Sequence, residues 1–462
     1  MSRPVAPHNA HRALEQPANI IPFKTTNPRA VSTLLALEPP PVELSDYPIL
    51  TTSSSQPKYW ADYSVSTHLF PAAFPRCPSD AWVRRPRPEP QEDLDAKKRR
   101  IAREVEYLSS IKEAQEQGRD TRPPGREVLW MVANRYVRGL HPTRGTGLTL
   151  VFLHGIGAFK ESWEPMISSI LTSLRGSADQ VRIDEIWCLD CVQHGDSGLL
   201  NEAILGDIFD NADYARDVAN FMLYYLPDHI AGANALPSNL PRVSAAMADA
   251  RRLRGIPSRT IVMVGHSMGA HSLIYPAVKY PYLFSSLVLV EAAVYPTYLE
   301  HKDPHRRFET GCLGRRWIWD TRESAVDSIH RSAYFKPWDP EIIRLYCQYA
   351  IVKTADGRFR LKTVPYLEAL MLFERRSVYE TWELLNEIDS RIWLHWIWGG
   401  KSERTGGPKI QAQTSYRRLG NCSNDYHSEL RHNLPQEAPS IVATDIAYFL
   451  IRHYGRLPES RL

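Results

Sequence analysis

From Leu148 onward, short blocks of apolar residues recur along the chain. Leu148–Leu153, Thr260–Val264, Leu287–Val290 and Ile392–Trp398 are apolar at nearly every position, and Ile183–Leu189 is apolar apart from Asp184 and Glu185. A strand that alternates has one wet face; a strand without alternation is buried on both, as in the middle of a parallel sheet. Helical spacing fills the intervals, at Glu161–Leu174, Tyr214–Leu226 and Ile441–Ile451, and the residues after Ser267 continue as a helix to about Tyr280. Strands alternating with helices predict an α/β architecture with a doubly wound, mostly parallel sheet.

Upstream the pattern is looser. Residues 1–58 are rich in Pro, Ser and Thr and predict an irregular arm, partly disordered or lying on the domain. Tyr63–Phe70 and Glu127–Val137 read as strands, and Arg84–Pro90 as a proline-broken linker. Gln91–Gln117 keeps Leu94, Ile101, Val105, Leu108 and Ile111 on one helical face and stops at Gly118. Two segments interrupt the regular part: 227–258, rich in Ala, Pro and Arg, and 296–388, helical and aromatic with Trp317, Trp319, Phe335, Trp338 and Tyr346. The second falls between two sheet strands and predicts a lid over the carboxyl edge, where ligands bind in open α/β sheets. The expected organisation is an arm over 1–58, one domain over 59–455 and a short tail over 456–462.

Composition narrows the function classes. With 462 residues and 43% hydrophobic content, the chain can bury one large core. A net charge of +4 without a Lys/Arg stripe gives no footprint for nucleic acid. Lys97–Arg100 reads as a solvated helix face. Six scattered cysteines, Cys188-x-x-Cys191 among them, read as buried thiols and not as a disulfide framework. No apolar run is long enough to span a membrane, and Met1–Gln16 lacks the apolar core of a secretion signal. Ser460-Arg461-Leu462 is a conservative variant of the S-K-L peroxisomal tail, so a peroxisomal location and an import receptor as partner are expected.

Candidate chemistry begins where the most apolar strand ends. Ile261–Val264 runs into Gly265-His266-Ser267-Met268-Gly269, a G-x-S-x-G turn between strand and helix. Such a turn exposes a serine hydroxyl, and the small Gly265 and Gly269 let neighbouring backbone approach. A serine needs a general base, because its hydroxyl is barely ionised at neutral pH. His432, just before the closing helix, is the expected base, with His427 its rival. No residue cluster calls for a metal or redox cofactor.

These motifs fall in a familiar order. With His154-Gly155, His194-Gly195-Asp196-Ser197, Gly265–Gly269 and the His432 segment, residues 148–455 resemble the α/β-hydrolase superfamily. Ser64–Ala73 and the tail resemble, more narrowly, fungal peroxisomal hydrolases of host-selective toxin biosynthesis and, more remotely, a yeast peroxisomal lipase. The resemblance implies Ser267 as nucleophile, with backbone N–H groups of Ile156 and Met268 as the oxyanion hole. A serine there argues against the epoxide and dehalogenation chemistry that uses aspartate at this position. The usual acid position, three residues after Gly399, is Ser402 in this chain. That leaves Glu291, at the end of the preceding strand, as the expected acid and Glu403 as the alternative. The implied activity is hydrolysis of an ester or thioester of a hydrophobic acyl or polyketide-like substrate, with Arg306, Arg307, Arg315 and Arg316 either meeting CoA phosphates or forming a solvated face. A triacylglycerol lipase and a non-catalytic binding protein remain alternatives.

Overall fold

The computed structural model describes residues 13–21, 26, 28, 34–50, 60, 62–76, 92–117, 125–139, 147–175, 181–207, 209–232, 235–297 and 306–455. The strands of its main sheet are β1 (Tyr63–Pro71), β2 (Trp130–Arg138), β3 (Leu148–Leu153), β4 (Ile183–Leu189), β5 (Thr260–His266) and β6 (Ser286–Val290). Three short strands follow, β7 (Ile318–Trp319), β8 (Ile351–Lys353) and β9 (Phe359–Leu361), and then β10 (Trp393–Gly399) and β11 (Cys422–His427). The eight-stranded sheet runs β1-β2-β4-β3-β5-β6-β10-β11. β1, β2 and β4 pair antiparallel, whereas every pair from β4 through β11 is parallel.

The absence of alternation in the central strands has a direct cause. In β3, Val151 and Leu153 join one buried cluster while Leu150 and Phe152 join another; in β5 the split is Met263 against Val262 and Val264. Each face is covered by helices, so each needs apolar side chains. One face carries Trp163 from the short turn Lys160–Trp163 and Ile167, Ile170, Val442 and Leu450 from the helices Glu164–Arg175 and Pro439–Tyr454. The other carries Phe221, Met222, Ile274, Leu370 and Trp382.

Four features depart from the sequence pattern. β11 was not expected: Cys-Ser-Asn-Asp-Tyr-His has no apolar rhythm, because it is an edge strand left half-buried. The chain between β6 and β10 is not all helical, since β7, β9 and β8 form an antiparallel sheet inside it. Its aromatic residues Trp319, Phe335, Trp338 and Tyr346 pack into a cluster that also takes in Phe159 from the turn after β3. The helix after Ser267 is broken into Met268–His271 and Ile274–Lys279, and the Tyr214–Leu226 helix is Asn211–Asn220 followed by a wider π turn at Phe221–Tyr225.

The segment 227–258 holds the helix Ala245–Arg254, started by Ser244 accepting from Met247 N–H. Described parts of the N-terminal arm lie on the domain: Leu14 N–H donates to Asn424, and Arg216 donates to the carbonyls of Leu35 and Ala36. Cys188, Cys191, Cys312, Cys347 and Cys422 are free thiols. The Arg84–Pro90 linker, Cys77 and the tail Ser460–Leu462 lie outside the described residues.

The turn after β5 leaves no room for a side chain at its second glycine. A Cβ on Gly269 would stand 2.2 Å from the Leu153 carbonyl oxygen, whereas one on Gly311 meets nothing within 4 Å. Gly269→Ala should therefore cost about 1–3 kcal/mol of stability, read as a lower denaturation midpoint at unchanged slope. Gly311→Ala, inside the helix Arg307–Leu313, should not destabilise. Equal midpoints for Gly269→Ala and the unaltered protein would refute the packing account.

Candidate active site

Two neighbouring parallel strands end in the same unusual way. Ser267, after β5, has φ +52° and ψ −112°; Glu291, after β6, has φ +45°. Non-glycine residues at positive φ cost about 1–3 kcal/mol and persist where their surroundings hold them. Here the two strained turns hold each other. Ser267 N–H donates to Val290 O at 2.9 Å, Ala293 N–H donates to Ser267 O at 3.1 Å, and Glu291 N–H donates to Ile397 O of β10 at 2.9 Å. The backbone thereby presents Ser267 and Glu291 at one edge of the sheet.

His432 arrives between them from the loop after β11. Ser267 Oγ–H donates to His432 Nε2 at 2.9 Å, and His432 Nδ1–H donates to Glu291 Oε2 at 2.9 Å. Glu291 is fully buried. Both its oxygens accept: Oε1 from Gly399 N–H at 2.6 Å, Oε2 from Ser402 Oγ–H at 2.5 Å. Gln411 Nε2–H lies farther, 3.4 Å from Oε1. Burial pushes this carboxyl up to about 8, and the donors of Gly399, Ser402 and Thr405 act in the opposite direction. Burial, with the positive charge of Arg404 added, holds His432 well below its ordinary range, so the ring is a neutral acceptor toward Ser267.

The alternatives from the sequence go elsewhere. Glu403 is exposed and pairs with Arg307 at 3.1 Å. His427 Nε2 meets Asp445 Oδ2 at 2.6 Å, away from Ser267. Ser402, at the position where the resemblance expects an acid, is a donor to Glu291, one strand over. The four arginines do not act as a set. Arg307 lines the cavity; Arg306 lies over the Phe373 ring, Arg315 is bound to Glu368, and Arg316 donates to the Ile318 carbonyl.

Supporting residues escaped the sequence reading. His266, the variable residue of the motif, is buried and donates Nε2–H to the His432 carbonyl at 2.9 Å; burial lowers it to about 3, so it stays neutral. Its ring also explains Gly155, where a Cβ would lie 2.6 Å from His266 Nδ1. His194 Nε2 accepts from Gly157 N–H at 3.0 Å and so fixes the turn that carries Ile156. Behind that turn a buried Lys160 contacts Asp190, Glu161 and Asp196, and Lys362, from the chain between β6 and β10, reaches Asp196. Only the motif residues among these had a signal in the sequence; Lys160 and Lys362 carried none.

Ser267, His432, Ile156 and Met268 line one cavity of about 360 Å³. Met371, Leu372, Val378 and Phe308 give it apolar walls; Arg307, Arg375, Arg404, Glu309, Glu374 and Glu403 add charge. Among the described residues no cluster of three or more His, Cys, Asp or Glu could hold a metal ion.

An elbow serine at the edge of a mostly parallel, helix-covered sheet defines an α/β hydrolase. Residues 150–443 match the model of the Alpha/beta hydrolase family, and the chain belongs to that family. Among characterised proteins, Peroxisomal membrane protein LPX1 of Saccharomyces cerevisiae is 30% identical over 168 residues, 36% of this chain and 36% of that protein. Type I acyl-CoA thioesterase mpaH of Penicillium roqueforti is 25% identical over 215 residues, 45% of this chain and 41% of that protein. Abhydrolase domain-containing protein ACTT2 of Alternaria alternata is 33% identical over 119 residues, 23% of this chain and 42% of that protein. These matches span less than half the length of each relative. The crystal structure of the peroxisomal alpha-beta-hydrolase Lpx1 superposes with a TM-score of 0.60 at 19% identity, over 87% of this chain and 93% of that one; it shares the fold.

If the hydrogen-bond chain activates the hydroxyl, Ser267 should react with a fluorophosphonate. Ser267→Ala should abolish labelling, and His432→Ala and Glu291→Gln should slow it about a hundredfold or more. Glu403→Gln and His427→Ala should label at the rate of the unaltered protein. Slow labelling of Glu403→Gln with normal labelling of Glu291→Gln would reverse the assignment.

Proposed function

We propose that this hydrolase cleaves an ester or thioester of a small hydrophobic acyl substrate by acyl transfer to water. The observation that carries the reading is the continuous chain Ser267–His432–Glu291 opening into a cavity with apolar walls. His432 Nε2 takes the Ser267 proton as Oγ attacks the carbonyl carbon. The N–H groups of Ile156 and Met268 hold the oxyanion, each well-placed donor worth roughly 3–4 kcal/mol. The tetrahedral intermediate collapses, and the leaving alkoxide or thiolate receives the proton from His432. Water then attacks the acyl-enzyme, giving its proton to His432, and Ser267 regains a proton as the acid departs. Glu291 orients the imidazole and stabilises its cationic form.

The chain between β6 and β10 supports a lid role, since it supplies Phe308, Met371 and Val378 to the cavity wall. Three arginines and three glutamates among the lining favour a discrete polar-tipped substrate over a triacylglycerol at a membrane surface. The intact donor set around Glu291 favours catalysis over a binding-only scaffold. The thioesterase named among the relatives supports a thioester, and the peroxisomal relative together with Ser460-Arg461-Leu462 supports a peroxisomal location. A role in toxin biosynthesis rests on the resemblance of Ser64–Ala73 and the tail alone.

A panel of acyl thioesters and p-nitrophenyl esters, run on the unaltered protein and on Ser267→Ala, tests the reading; turnover by neither would refute it. The pH profile tests the base. His432 must be neutral to accept a proton, and its affinity for protons is lowered. The acid limb of kcat/KM should therefore fall below pH 6.5, its ordinary value, with full activity at neutral pH. A limb near 8 would instead make ionisation of Glu291 the controlling step. Removal of Ser460–Leu462 should turn a punctate fluorescent fusion diffuse; an unchanged punctate pattern would contradict the peroxisomal address.

A further inference from the structure

The charges lining the cavity do not cancel where a substrate would meet them. Of the three lining carboxylates, Glu309 is fully buried and bound to Arg375. Glu374 is turned into the protein: Oε1 accepts from Ser377 N–H at 3.1 Å, and Oε2 accepts from Ser377 Oγ–H at 2.6 Å and from Asn211 N–H at 3.2 Å. Glu403 is taken by Arg307 at 3.1 Å. Those contacts use both Arg375 and Arg307. The remaining lining arginine, Arg404, has no carboxylate partner among the described residues. Its guanidinium rests on the Phe308 ring at 4.0 Å from the centroid, and the residue is half-buried.

A half-buried guanidinium held on an aromatic face has lost part of its hydration and gained no counter-ion. Its charge is felt inside the site, since it contributes to keeping both His432 and His266 neutral. Arg404 also sits on the turn that follows Ser402, the donor to Glu291, so the cation and the triad geometry belong to one short loop.

We propose that Arg404 is the recognition site for an anionic group carried by the substrate, a carboxylate or a phosphate, held in the same cavity as the Ser267 hydroxyl. The inference rests on the hydrolase reading above and adds a substrate class to it. A planar guanidinium accommodates both anions bidentately, so the two sources share one chemistry. A neutral acyl ester would leave Arg404 uncompensated, whereas an anionic one would pair it while its acyl chain covers the apolar wall.

Binding to the Ser267→Ala protein tests this without turnover. Two matched pairs are used: an acyl-CoA with the same acyl group on N-acetylcysteamine, which lacks the phosphates, and a glutarate hemi-ester with the corresponding neutral butyrate ester. The anionic member of at least one pair should bind tenfold or more tighter than its neutral partner. In Ser267→Ala/Arg404→Gln that preference should fall to near unity, with affinity for the neutral member retained as the sign of a folded site. Preference in the CoA pair assigns the phosphate; preference in the hemi-ester pair assigns the carboxylate. No preference in either pair, or a preference that survives Arg404→Gln, overturns the proposal. Fluorophosphonate labelling of the unaltered protein reports on Ser267 separately, so a labelled serine with no anion preference refutes this inference alone.

Discussion

The burial of one carboxylate organises the site. Glu291 is removed from solvent altogether, and an acid in that position is costly unless its oxygens are occupied. The donors come from the end of β10 and the turn behind it, Gly399 N–H and Ser402 Oγ–H, while the imidazole comes from the loop after β11. The carboxylate thus pins three consecutive strand ends to one another. The same pinning holds two backbone turns at positive φ, Ser267 and Glu291, each stabilised by hydrogen bonds to the strand beside it. The strain is local and its support is distributed, which gives a serine hydroxyl a fixed direction without a mobile loop beneath it.

A buried carboxylate at the end of β6 gives the β10 turn a supporting part: with serine at 402, the turn donates to Glu291. Glu403 is then released to the surface, where its pair with Arg307 is solvent-exposed on both sides, 63% and 68%, and worth at most about 1 kcal/mol. The neighbouring Arg404 remains over the cavity. With Gly399, the short run Ser402–Thr405 therefore carries both hydrogen-bond support for Glu291 and a cation that lines the cavity.

The chain between β6 and β10 is more than a cover. Its small sheet and aromatic cluster close over Phe159 of the turn after β3, and Lys362 within it reaches Asp196 behind the Ile156 turn. Buried ion pairs of this kind are weak sources of stability but strong constraints on register. The roof of the cavity and the turn beneath it are consequently fixed to a common buried charge cluster.

What the sequence determined follows from short-range physics. Apolar runs without alternation specify strands covered on both faces, and their order with helices between them specifies the parallel sheet. The strand–turn–helix around Ser267 and the position of His432 before the closing helix were legible for the same reason: local periodicity and glycine spacing encode them. The polar edge strand Cys422–His427 was not legible, because half-exposed residues need no apolar rhythm. Nor were the antiparallel strands between β6 and β10, which are only two or three residues long. Between Glu291 and Glu403 the sequence favoured Glu291, which ends the strand that follows the Ser267 turn, but left Glu403 as an alternative because it too follows a strand end. Only tertiary structure separates them: the neighbouring strand's N–H and Ser402 turn inward on Glu291, while Arg307 draws Glu403 outward. That Arg404 has no carboxylate partner among the described residues is likewise a property of assembly, because Arg307 and Arg375 pair with glutamates distant along the chain and adjacent in space.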